Sequence, residues 1–179
     1  MPGFSLRHRL AAACWSAVLL AGVTPVAAEE PTLLGGFKSW FGYTLGNGDS
    51  KVCYALSKPT TQEPKKAKRD PAFFLINDWP GRKAKAEPEI VPGYQYKDGS
   101  TVTVEVGSDK FTFFTKNDGG SGAAWVLAQA DEERLVDSMK SNATASVTGT
   151  SKRGTMTHDT YSLAGVGDAL DKIHQTCGM

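Results

Sequence analysis

From residue 90 to residue 129 the chain is a series of short apolar runs broken by turn residues: "IVPGYQY", "KDGS", "TVTVEV", "GSDK", "FTFFTK", "NDGGSG", "AAWVLAQ". In "TVTVEV" Val102, Val104 and Val106 share one face, with Thr101, Thr103 and Glu105 on the other. Such alternation suits a strand with one face on a core and one in solvent, and it has no helical period. Asp98-Gly99 is a favourable dipeptide for a tight hairpin. Short strands at this spacing restrict the chain to a mainly β, antiparallel β-sandwich or barrel-like domain.

The residues before this region read the same way. "FKSWFGYTL" (37–45) and "KVCYALS" (51–57) flank the turn "GNGDS" and predict a hairpin. In the second run Cys53, Ala55 and Ser57 share the face opposite Val52, Tyr54 and Leu56, so Cys53 sits among small neighbours. Residues 58–70, rich in proline and basic side chains, predict a solvated loop. "PAFFLIND" (71–78) suits a strand buried on both faces, and 79–89 read as turn chemistry.

Two short helices complete the pattern. Residues 131–142 open with acids and carry Lys140 in the last turn, with Leu135, Val136 and Met139 as the apolar stripe. "ASVTGTS" and "TMTHDTYSL" return to strand chemistry. At the C-terminus Val166, Leu170, Ile173 and Cys177 recur on one helical face, with Asp168 as the expected N-cap and Gly178 after the last turn.

The first 28 residues have another character. Arg7 and Arg9 precede the uncharged apolar stretch Leu10–Val23, and Val26-Ala27-Ala28 follows. This is the pattern of a secretory signal peptide cleaved after Ala28, leaving residues 29–179 as a single β-rich domain without a transmembrane helix. The full chain carries 20 Lys and Arg against 19 Asp and Glu. The leader holds two arginines and no acid, so the mature charge falls from +1 to about −1, unlike a nucleic-acid-binding protein.

Export also bears on the cysteines. Cys14 leaves with the leader, so Cys53 and Cys177 remain as an even pair in an oxidising compartment. A Cys53–Cys177 disulfide is the expected role, ahead of a Cys/His nucleophile using His158 or His174. No C-x-x-C or H-x-x-x-H spacing outlines a metal site, and nothing indicates a cofactor. Gly165-x-Gly167 lacks the third glycine and the βαβ setting of a dinucleotide site and reads as a loop before the last helix. Trp40, Trp79 and Trp125 read as core. Lys65, Lys66, Lys68 and Arg69, with Arg82, Lys83 and Lys85 in the next loop, form the candidate binding patch for an anionic partner.

Several segments together resemble the invasion-associated locus B proteins, exported proteins of alphaproteobacteria: "SWFGYTL" leading to "KVCYALSKPT", "RDPAFFLINDWPGRKAKAEPEIVPGYQY", "FFTKNDGGSGAAWV" and the closing "IHQTC". The order of these segments carries the match, which spans nearly the whole mature chain. The resemblance implies a small periplasmic or surface-associated β-rich protein, of a family named for host-cell invasion. It brings no catalytic residues, and Cys53 and Cys177 map as its structural pair. The function expected is a non-catalytic binding or structural role in the envelope or in invasion, toward an unidentified envelope or host-surface component. The alternative is a periplasmic hydrolase or a small-molecule or lipid carrier, which needs a concave site.

Overall fold

A computed structural model describes residues 29–128 and 130–179. The expected signal peptide, residues 1–28, lies outside the described residues. Eleven strands form one sheet: β1 (Thr32–Phe37), β2 (Trp40–Leu45), β3 (Val52–Ser57), β4 (Thr61–Glu63), β5 (Phe73–Trp79), β6 (Ala84–Val91), β7 (Thr101–Val106), β8 (Asp109–Asp118), β9 (Ser121–Val126), β10 (Thr144–Thr150) and β11 (Met156–Ser162). Helix α1 (Ala130–Ser141) precedes β10, and α2 (Val166–Cys177) ends the fold. No helix among the described residues is long and apolar enough to cross a membrane.

The strand order is β1-β2-β3-β5-β6-β9-β8-β7-β10-β11-β4, with every pairing antiparallel. Strands β1 and β4 are free edges, so the sheet does not close into a barrel. It curls instead. Trp40 of β2 donates its indole N–H to the carbonyl of Ser162 in β11 at 3.0 Å, and Ser39 N donates to Ala164 O at 3.1 Å. The Phe74 and Tyr161 rings meet edge to face with centroids 5.6 Å apart.

Period-2 patterning decides which face is inside. Val102, Val104 and Val106 are fully buried, as are Phe74, Ile76, Phe113 and Ala124. Helix α2 lies on this inner face over β1, β2, β3 and β5, and α1 packs on β6, β7 and β8. Leu170 and Ile173 of α2 are fully buried, each worth about 1.5–3 kcal/mol. The predicted stripe Leu135, Val136 and Met139 of α1 is buried too.

Departures from the sequence reading have local causes. Residues 84–89 are strand rather than turn: β6 starts at Ala84, and Pro88 is tolerated because pairing with β9 begins only at Glu89. Residues 92–96 leave the strand at Pro92-Gly93, where Gly93 has φ +75° and a Cβ would stand 1.9 Å from Asp70 O. Strand β4 lies within the loop expected at 58–70 and pairs with the edge of β11. Strand β1 forms from a glycine-rich run by pairing with β2. The residue before α2 is Gly165 at φ +90°, and Asp168 lies in the first turn rather than at the N-cap. A Cβ on Gly165 would stand 2.0 Å from Phe37 O.

Candidate functional site at the covalent anchor of the last helix

Cys53 and Asp78 are register partners on β3 and β5, and both are completely buried on the inner face. Opposite Asp78, strand β6 carries one residue more than β5 between the pairs Asn77↔Glu87 and Trp79↔Ala84. This bulge turns the Ala86 amide toward Asp78, whose Oδ1 accepts its N–H at 2.9 Å. Ala86 and nearby Lys83 both have positive φ, an uncommon state for side-chain-bearing residues.

The last turn of α2 is seated over this pair. Cys53 and Cys177 are joined by a disulfide with Cα atoms 6.0 Å apart. One turn earlier His174 donates its Nδ1–H to Asp78 Oδ2 at 2.6 Å. Lys51 reaches across and donates from Nζ to Thr176 O at 2.7 Å. A buried carboxyl group needs hydrogen-bond partners, and Asp78 has one on each oxygen. The helix end is thus held covalently to β3 and by hydrogen bonding to β5.

His174 also lines a groove of about 850 Å³. Arg82, Lys83 and Lys85 stand on its strand side, and Glu132, Asp137 and Lys140 of α1 face them. Burial first, and then the nearby Glu87 carboxylate, raise the Glu132 carboxyl above its usual range. Among the described residues lining the groove there is no Ser, Thr, Cys or Tyr. Its walls carry charges of both signs and no hydroxyl or thiol nucleophile for His174 to activate.

The candidate basic patch is divided. Lys65, Lys66 and Lys68 are exposed in the loop that leads into β5, whereas Arg82, Lys83 and Lys85 follow its far end. A seven-residue strand spans about 20 Å, which sets the two groups at opposite ends of β5. Arg69 turns inward: its guanidinium forks onto the Asp159 carboxylate, with the side chain 6% exposed. Burial raises the Asp159 carboxyl against the pull of Arg69. Arg82 lies 4.5 Å from the Trp79 ring centroid and pairs with Glu87.

The remaining sequence candidates are also placed. His158 is exposed on β11, between the hydroxyls of Ser146 and Thr148. Its neighbour Asp159 points inward, as alternation requires. Trp40 is core, whereas Trp79 and Trp125 are half-buried. Among the described residues no three His, Cys, Asp or Glu side chains converge as a metal site would need. The Asp78–His174 pair was missed by sequence reasoning. Its signals were an acid closing the apolar run "FFLIND" and the i, i+3 spacing of His174 and Cys177.

These features define a class: a curled, mainly antiparallel β protein whose C-terminal helix is stapled to its inner face. The family model of the Invasion associated locus B (IalB) protein matches residues 40–174, and the chain belongs to that family. The fold is similar to the crystal structure of invasion associated protein B from Bartonella henselae, at 10% identity and a TM-score of 0.58. That likeness covers 81% of this chain and 98% of the other. No curated protein matches the chain.

Proposed function

We propose that the protein is exported after cleavage at Ala28 and acts in the bacterial envelope as a non-catalytic binding or structural component. The observation that carries this reading is the chemistry of the groove that holds the oriented His174. Both sulfurs are bonded to each other, and the groove offers His174 no hydroxyl or thiol to activate. A lipid carrier would need an apolar cavity, yet Trp40, Phe74, Phe111, Phe113, Tyr161 and Leu170 fill the inner face and are essentially inaccessible. Host-cell invasion and envelope maintenance are both settings in which such a protein works. Its partner would be an envelope or host-surface component.

N-terminal sequencing of the natively exported protein tests the first part, and a mature chain beginning at Glu29 is the result expected. In-cell cross-linking of the tagged protein, with mass spectrometry of its adducts, tests the second. Reproducible envelope partners are expected. Turnover of any envelope substrate that disappears on His174→Ala in a still-folded protein would overturn the non-catalytic reading.

A further inference from the structure

The outer face of the sheet is divided in two. Cross-strand registers line up Phe41, Leu56, Leu75, Glu89, Trp125 and Phe114 in one row across six neighbouring strands. The adjoining rows are mixed: Leu33, Tyr43 and Tyr54 run on into Asn77 and Glu87 on one side, and Phe73, Val91 and Ala123 run on into Lys116 on the other. Tyr43 stacks on Tyr54 with centroids 5.4 Å apart, and the Phe114 and Trp125 rings meet at a tilt of 31°, 5.7 Å apart. Beyond β8 the same face turns polar, with Thr103, Glu105, Ser146, Thr148 and His158.

Four of the five most exposed large apolar side chains among the described residues lie on the apolar half. They are Leu33 (56%), Phe41 (43%), Phe114 (42%) and Leu127 (61%); Met156 is the fifth. Six strands at about 4.8 Å spacing, and three rows about 7 Å apart, give a patch of roughly 24 by 14 Å. The band covers on the order of 350 Å², with Asn77, Glu87, Glu89 and Lys116 set among its apolar side chains; apolar patches of a few hundred Å² on a monomer are often functional.

We propose that this apolar half is a docking surface for a partner protein that lays an apolar surface over it and sets one cationic side chain against Glu89. The inference rests on the binding role proposed above and names its surface. Glu89 decides the chemistry of the partner. It lies inside the apolar row, half-buried, and accepts one hydrogen bond, 2.9 Å from Asn77 Nδ2. Burial holds its carboxyl above the usual range, more strongly than the Asn77 hydrogen bond lowers it. Covering the row would desolvate this group further, and a Lys or Arg from the partner offsets that cost.

Other occupants fit less well. Hydrocarbon supplies no partner for Glu89 or for the Tyr43 and Tyr54 hydroxyls within the band. A second copy docked about a two-fold axis on this row would set two desolvated Glu89 side chains toward each other. Beside Glu89 this face holds a shallow groove of about 310 Å³, lined by Val91, Lys116, Ala123 and Trp125, that can receive one side chain of a partner. Aromatic anchors around a central charged pair are what protein interfaces use most effectively.

The test places a photo-cross-linking amino acid at Phe41 or Phe114 in the full chain, in intact cells, with Lys65 and Lys85 as comparison positions. Each identified partner is then purified and titrated against the mature protein. Supporting results are adducts from Phe41 and Phe114 to one common protein, and a loss of affinity of about tenfold or more for both Phe114→Lys and Glu89→Gln. Both substitutions point out of the core, and a cooperative thermal melt no lower than about that of wild type checks the fold. Adducts of the chain to itself with a dimeric mass, or adducts only to lipid, overturn the proposal. So do adducts confined to Lys65 or Lys85, which leave the binding role standing. Absence of protein adducts at all four positions removes both.

Discussion

Removal of the Cys53–Cys177 bond should be the most costly covalent change available to this fold. The two residues are 124 apart in sequence, and in the chain-entropy account a loop of that length costs about 5 kcal/mol to close. For a domain of about 150 residues this corresponds to a fall in melting temperature of roughly 10–20 °C. The double variant Cys53→Ala/Cys177→Ala should still fold. Leu170 and Ile173 remain buried, and Asp78–His174 and Lys51–Thr176 still hold the last turn. The assay is thermal unfolding by circular dichroism of oxidised wild type, reduced wild type and the double variant. The two unlinked forms separate loss of the link from loss of sulfur packing. On protein beginning at Glu29, a thiol count should give none before reduction and two after it. A difference under about 4 °C between oxidised and unlinked forms would refute the reasoning. It would mean that the apolar stripe and hydrogen bonds alone carry the helix, with loop closure contributing little.

Three further outcomes are expected. Arg69→Ala leaves the Asp159 carboxylate buried without its partner and should cost about 3–5 kcal/mol in urea unfolding. Burial raises the Asp159 carboxyl even beside Arg69, and loss of Arg69 raises it further, so the Arg69→Ala deficit should shrink as pH falls through the variant's folded value and be full above it. Glu89 is likewise raised by burial, so its contribution to stability is present below its unfolded value and lost as pH rises through the folded one. Glu89→Gln should therefore flatten that decline and be at least as stable as wild type at neutral pH, which denaturant titrations at neutral and mildly acidic pH would show. Gly165→Ala should lose at least about 2 kcal/mol, because φ is +90° and its Cβ would meet the Phe37 carbonyl. Gly167→Ala, with open space around it, should be neutral or gain up to about 1 kcal/mol, so paired thermal melts of the two variants test the distinction.

Legibility in the sequence followed the strength of local patterning. Strand β7, the β2–β3 hairpin and the apolar stripes of both helices were readable because side-chain alternation and helical periodicity act over a few residues. Strand β4 was not, since three residues of a lysine-rich loop pair through backbone groups with the edge of β11, and no side-chain pattern records that. The start of β6 was hidden by Pro88 and the bulge, both of which resemble turn chemistry when the neighbouring strands are unknown. Within the site, the cysteine pair was legible from parity and compartment. Asp78–His174 was not, because their 96-residue separation becomes a 2.6 Å contact only when α2 docks across β5. Of the seven basic side chains, Arg69 is drawn inward by Asp159, and β5 lies between the two loops that carry the rest, neither of which is written in a local stretch.

The sequence by itself determined the class of fold, the inner face of most strands, the two helices and the residues of the disulfide. Those properties follow from local periodicity and from counting, which need no knowledge of what lies across the core. The tertiary structure alone decided that eleven strands make one curled, unclosed sheet and that an aspartate and a histidine anchor the last helix. It also decided that apolar side chains gather on one half of the outer face, around Glu89, while the other half is polar. Each of these depends on strand order and register, which bring together residues far apart in the chain, and neither quantity is written in any local stretch of it.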